Sequence, residues 1–415
     1  MGSSSNSKLP SIPTVGVHPS STATSHFAHT ASNMSHRTAT TGALLVLNAF
    51  GVLSIGGLLF LNGWMDMKDD LMAQSEPMLP GAGGPARTYF TGSAALDEAL
   101  TGILKFFYPC VSGEMPALSL FTAYMAGQVL PIHTALLLES LRAGHRGTML
   151  AFPVIWGMTY QSIPFGIILP LYAIAYIWLS PLAKPTETGT SRAANQLPTD
   201  LARLQTTASA MLLGFALPSV LPALPSPSII SRDSQQIFLA LWQVFPIWVS
   251  LSHWFLAAAA RTFGFVAGPM HVSPTASLQS LRHVYRTTLK YTSLVHFGVL
   301  ALATFPQLRP VVYGGLLQQR VSLWDIFVPP SALSRKQIKT MAEGSLTLLQ
   351  YDLYCACAAM AILVSYLAYT AGGLNRAAGL STVRGLLRRS VVVGPGGAVL
   401  WALWDRDEEV LAGGK

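Results

Sequence analysis

The chain has 415 residues, 51% of them hydrophobic and only 11% charged, against about 25% charged in an ordinary soluble domain. Its net charge of +8 comes from a shortage of acids, 18 against 26 bases, and those bases stand singly in loops, without the stripe that nucleic-acid binding requires. Three cysteines cannot make a disulfide framework, no Cys/His spacing fits a zinc site, and several charge-free runs of 20 or more residues place the chain in a lipid bilayer.

Residues 1–40 are rich in Ser, Thr and His and contain no acid, a composition that predicts a disordered polar N-terminal tail. This tail lacks the apolar core of a cleavable signal peptide, so the first span is expected to serve as the targeting signal. That span, Thr41 to Trp64, lies within 28 charge-free residues between Arg37 and Asp66. After a Pro/Gly-rich loop, Leu96, Leu100 and Phe107 fall on one helical face and Asp97, Thr101 and Lys105 on the other. This pattern predicts a helix lying in the membrane interface. Between Glu114 and Glu139 stand 24 residues without a charge; as a helix they cover roughly 36 Å, enough to cross a hydrocarbon core of about 30 Å. Tyr124, Gly127, Gln128 and His133 lie inside that span, which therefore reads as one wall of an internal site.

The next 37 charge-free residues, 147–183, carry Pro153, Gly157, Pro164, Gly166 and Pro170. They predict one broken or kinked helix facing protein, with one or two crossings both open. Further spans are expected at about 204–224, 235–259, 286–305, 344–370 and 389–404. The whole reads as an all-α, polytopic integral membrane bundle of about eight transmembrane helices over 41–404, followed by a short polar C-terminal tail, 405–415.

Asp352 is the most informative single residue. It lies about eight residues into its span, roughly 12 Å along the helix, where an ionised carboxylate costs about 3 kcal/mol on insertion scales. The neutral, proton-bearing form is favoured there. Two roles stay open: a proton donor, or a structural partner of a neighbouring helix. Glu139 and Arg142, three apart, read as an ion pair near the membrane surface or as helpers of that acid. Trp242 and Phe245 form part of an aromatic stripe on the fifth span, suited to core packing or to stabilising cations. Tyr351 beside the acid and His133 in the central span complete the candidate lining. The acids Asp66, Asp69 and Asp70, and the tail group from Asp405 to Glu409, lack the paired aspartate motifs of diphosphate ionisation. No metal and no cofactor are therefore expected.

Three places resemble a group of fungal polytopic membrane terpene cyclases from meroterpenoid pathways of the ascofuranone and macrophorin type. They are the Phe-Phe-x-Pro…Gly-x-x-Pro…Glu-Ser-x-Arg pattern of Phe106–Arg142, the Gln350-Tyr351-Asp352 triplet, and the C-terminal Gly394-Pro395…Trp404…Arg406-Asp407-Glu408. The family pattern has an acid just before Gly113, where this chain has Ser112. The resemblance implies an enzyme that protonates a prenyl olefin or terminal epoxide and folds the chain through carbocations, without diphosphate or metal. Its partners would be a lipophilic prenylated small molecule, the bilayer of the endoplasmic reticulum, and other enzymes of the same pathway. Under this reading Asp352 is the acid, assisted by Glu139 and Arg142, with Trp242, Phe245, Tyr351 and His133 around the substrate. A proton-coupled transporter and a non-catalytic membrane scaffold are the alternatives.

Overall fold

A computed structural model describes residues 21–74, 76–81, 84–184, 189–265, 273–310, 321–372 and 374–412. The chain divides into two units, Met1–Ala39 and Thr40–Lys415. In the first, the backbone is helical from Ser21, so the second half of the expected unstructured tail takes up helix. Residues 1–20 lie outside the described residues.

The protein is all-α, with no strand among the described residues. The helices that matter for function are α1 (Ser21–Gly51), α2 (Ala94–Ser112), α3 (Pro116–Ser140), α4 (Pro153–Ser162), α5 (Phe165–Leu179), α6 (Leu201–Ala223), α7 (Arg232–Trp242), α8 (Phe245–Thr262), α9 (Pro274–Thr304), α10 (Met341–Ala371) and α11 (Arg376–Ala412). Five of the described helical segments are long and apolar enough to cross a membrane, and six if the bent pair α7–α8 counts as one span. The sequence predicted about eight. Part of the difference lies in α9, whose His, Tyr and Lys residues dilute its apolar run. The predicted spans 344–370 and 389–404 fall within α10 and α11.

Helix α3 is the hub. It is buried along most of its length and packs against α2, α6, α9, α10 and α11, because its apolar residues are spread around the whole circumference. The run 147–183 breaks at Ile163–Pro164 into the short helices α4 and α5. Proline fixes its own φ and disfavours helix in the residue before it. Gly166, the second residue of α5, lets that helix sit directly on α10: a Cβ there would fall 2.6 Å from the Asp352 carbonyl oxygen and 2.9 Å from Cys355 Cβ.

Helix α2 is turned the other way from its sequence pattern. Asp97, Thr101 and Lys105 are buried while Leu96 is exposed. The polar side chains meet backbone groups of the preceding segment: Asp97 accepts from the Thr91 and Gly92 amides, Thr101 donates to the Arg87 carbonyl, and Lys105 donates to the Leu71 carbonyl. The C-terminal end also departs from expectation. Residues 405–412, predicted as a polar tail, continue α11, and Arg406 and Asp407 are buried.

Helix α11 kinks at Gly394, whose φ of 71° lies in the left-handed region. The amides freed by the kink are met by Gln128 of α3, whose Oε1 accepts from the Gly396 amide at 3.0 Å. This answers why a glutamine stands in an apolar span: buried backbone N–H groups need partners. A side chain at 394 would meet both an unfavourable φ, about 1–2 kcal/mol, and the Gln128 amide. Gly394→Ala is therefore expected to lower the melting temperature of the detergent-solubilised protein. Gly298→Ala, where nothing lies within 4 Å of an added Cβ, is expected to leave it unchanged.

Candidate active site: a buried carboxyl in an aromatic cavity

A cavity of about 300 Å³ lies inside the bundle, walled by α2, α3, α4, α6, α7, α8 and α10 and by the 161–165 turn. Local breaks in the helices shape it. The α7–α8 pair bends by 71°, and the residues flanking the bend, Trp242 and Phe245, both face the cavity. Helix α6 widens into a π-turn at Leu212–Ala216, which presents Phe215. Such turns insert one extra residue and re-aim the side chains around it.

The walls are mostly aromatic and aliphatic. Phe107 meets Trp242 edge-on at 5.3 Å, and Phe245 lies 5.8 Å from Trp242 and 4.8 Å from Phe215. Tyr160 packs against Phe165 at 4.8 Å and lies 6.1 Å from Phe245. The Trp242 indole donates to Ser219 Oγ at 2.9 Å, which fixes its ring plane.

Among the described lining residues, Asp352 is the only Asp, Glu, Lys, Arg or His. It is buried, and its Oδ1 accepts from the Gly166 amide at 2.7 Å. Among the described residues no basic side chain pairs with it; its partners are backbone groups of Phe165 and Gly166. These are the first residues of α5, so the carboxyl sits at a helix N-terminus. Free amides and the helix dipole there favour negative charge. The site can thus receive the charge left on Asp352 once its proton has gone.

The predicted site residues separate into two groups. Asp352, Trp242 and Phe245 line the cavity together. His133 stands one layer behind, its Nδ1 2.6 Å from the hydroxyl of Tyr160, which does line it. Tyr351 turns away, its hydroxyl donating to the Pro330 carbonyl at 2.6 Å. With Gln350, which donates to the Ile326 carbonyl at 2.8 Å, it ties the 326–330 segment to α10. Ser112 does not line the cavity either; its hydroxyl lies 3.4 Å from the Pro109 carbonyl.

Glu139 and Arg142, expected to assist Asp352, are not among the described residues that line this cavity. Glu139 lies ten residues beyond Val129, the last α3 residue on the cavity wall, about 15 Å further along the helix axis. Both are consumed by a buried network. Glu139 accepts from Arg406 at 2.6 Å and from Tyr176 at 2.5 Å, and pairs with Arg142 at 3.3 Å. Arg142 donates to Asp407 at 2.5 Å, and Asp407 also accepts from Tyr285 at 2.8 Å and Gln196 at 2.5 Å. Two acids and two guanidinium groups therefore neutralise each other and tie the ends of α3, α5, α9 and α11 together. Beside them His145 bonds the Glu139 carbonyl at 2.6 Å and Ser180 Oγ at 2.7 Å. A carbonyl only accepts, so Nδ1 carries the proton and Nε2 accepts from the serine. Burial lowers the pKa of this imidazole, in keeping with the neutral ring.

Phe107, Tyr160, Phe215 and Gly166 are site residues that the sequence reading passed over. Phe107 belongs to the Phe-Phe-x-Pro pattern, and Gly166 follows the helix-breaking Pro164; those two signals point to the cavity.

Comparison with known proteins places this arrangement in a family. The CtvD domain matches residues 40–411. The chain belongs to the CtvD-domain family. It is 27% identical over 370 residues to the terpene cyclase ctvD of Aspergillus terreus, covering 88% of this chain and 98% of that protein. It is 25% identical over 363 residues to the terpene cyclase ascI of Acremonium egyptiacum, covering 86% of this chain and 88% of that protein. It is also 27% identical over 332 residues to the FAD-dependent monooxygenase anuJ of Penicillium roqueforti, covering 79% of this chain but 36% of that protein. No solved structure matches.

Because two buried carboxylates, Glu139 and Asp407, would be left to share the single guanidinium of Arg406, Arg142→Met is expected to destabilise the fold by about 3–5 kcal/mol. The check is a clear fall in melting temperature, with the loss of activity tracking the loss of folded protein.

Proposed function

We propose that this chain is a membrane-embedded terpene cyclase that starts its reaction by protonation, acting on a lipophilic prenylated precursor. One observation carries the reading: among the described residues a single carboxyl, with no basic partner, stands in a mostly apolar and aromatic cavity. The names of ctvD and ascI agree with it. The CtvD-type region makes up about a third of the longer anuJ, which is named as an FAD-dependent monooxygenase. That link favours a substrate already oxidised by such an enzyme, a terminal epoxide in place of a bare olefin.

Asp352 is the general acid. Its proton passes to the epoxide oxygen, the adjacent C–O bond opens, and the nearest double bond supplies the electron pair that closes a ring. The positive charge moves to the ring carbon so formed. Trp242, Phe245 and Phe107 face that charge with their π-systems, worth about 2 kcal/mol or more per contact once water is excluded. Asp352, now a carboxylate, is held by the Gly166 amide at the start of α5. Loss of a proton from the carbon next to the cation restores a double bond. Tyr160, whose hydroxyl lies 2.6 Å from His133 Nδ1, receives that proton on its oxygen as its own proton passes to the imidazole. Substrate and product have the same composition, and the reaction starts from a proton without a diphosphate leaving group. We place the enzyme in the endoplasmic reticulum membrane, where apolar intermediates pass between the enzymes of one pathway. Glu139 and Arg142 hold the bundle together and stand outside the chemistry.

The test is cyclisation by microsomes carrying the full-length chain, supplied with epoxidised and non-epoxidised aryl-farnesyl substrates. General acid catalysis contributes about 100-fold or more, so Asp352→Asn is expected to lower turnover at least that far at unchanged protein level. Trp242→Ala, removing one cation-facing ring, is expected to cost roughly 30-fold, with Trp242→Phe recovering most of it. Full turnover by Asp352→Asn would remove the assignment.

A further inference from the structure

A second cavity, of about 470 Å³, lies between α3, α6 and α9. No Asp, Glu, Lys, Arg or His is among its described lining residues. It meets the first along Cys110, Val111, Thr122, Ala126, Phe215 and Ser219, which line both. Its outer wall is formed by Leu212, Val220 and Leu294, all well exposed on the outside of the bundle. Helix α6 is long and apolar enough to cross a membrane, so an apolar mouth on this helix faces hydrocarbon, where exposed leucine and valine cost nothing.

Two further features mark this cavity as built for a ligand. Its inner wall is made of small residues, Ala123, Gly127, Ala208 and Ala216 among them, which keep it open. Ser119 is nine-tenths buried there, and its hydroxyl has no hydrogen-bond partner among the described residues. A hydroxyl left unpaired in an apolar space is costly unless a ligand supplies the partner. The first cavity alone, at about 300 Å³, is at the lower limit of sites that enclose a drug-sized molecule. It has room for the reacting end of a long chain but not for a bulky head as well.

We infer that the second cavity is the lateral entrance from the bilayer and the seat of the substrate's non-reacting end. In this arrangement the reactive terminus of an isoprenoid chain lies beside Asp352, the chain passes Phe215 and Ser219, and an oxygen-bearing head group rests against Ser119. The inference builds on the cyclase reading, but its test does not depend on turnover.

The test uses the full-length chain in phosphatidylcholine vesicles and a photoprobe in which benzophenone is joined to a farnesyl chain through an ether. After irradiation the label is expected on peptides covering 208–225 or 287–295. Filling the cavity by Ala216→Trp or Ala123→Phe is expected to cut labelling at least fivefold. Leu251→Trp, which places the same side chain at an exposed position outside both cavities, is expected to leave it unchanged. Label found only elsewhere, no label, or labelling indifferent to both filling variants would overturn the entrance. If labelling follows the expectation while the unaltered chain turns over no prenylated substrate, the cyclase reading fails and the entrance stands. If labelling fails while turnover depends on Asp352, only the entrance falls.

Discussion

The bond from the Gly166 amide to the Asp352 carboxyl is the contact on which the account rests. It joins α5 to α10 where an acid faces a mostly apolar cavity. Several irregularities of the chain are needed to make it. Pro164 breaks the long apolar run so that α5 begins with free amides. Gly166 lacks the side chain that would push the two helices apart. The bend between α7 and α8 and the π-turn in α6 open the space into which the carboxyl looks. A regular bundle of straight helices would have neither the donor at a helix start nor the void.

Four other buried charges are held together away from the cavity. Glu139, Arg142, Arg406 and Asp407 form a balanced cluster with Tyr176, Tyr285 and Gln196, each carboxylate receiving several donors. Burying such groups is tolerable only when every charge is met. Here that condition also keeps both guanidinium groups away from Asp352. An acid paired with arginine has given up its proton and cannot protonate a substrate. Segregating the paired charges at the helix ends therefore protects the chemistry of the unpaired one.

Much of this was legible in the residues, for identifiable reasons. A single aspartate in a run of apolar residues has few physical meanings, so Asp352 stood out. The aromatic spacing on either side of Gln243 put Trp242 and Phe245 near it, and the proline-rich run 147–183 announced a broken helix. What failed to show was anything set by distant partners. The spacing of Glu139 and Arg142 revealed their pairing but not that Arg142 reaches Asp407 across 265 positions. Residues 405–409 read as a tail because a count of charges does not know which of them are neutralised. The same limit reversed α2: the sequence cannot tell that backbone groups at Leu71, Arg87, Thr91 and Gly92 wait for its polar face. His133 was found, but its role as the partner of Tyr160 needed the fold.

The central claim concerns where a reacting oxygen would lie. The most direct measurement is a structure of the full-length chain, in lipid nanodiscs, with a bound farnesyl ligand ending in an oxirane. The account predicts the oxirane oxygen within roughly 3 Å of the Asp352 carboxyl and the neighbouring carbons beneath the rings of Trp242 and Phe245. A ligand seated outside that cavity, or one whose oxirane faces another group while Asp352 stays bonded only to protein, would contradict it.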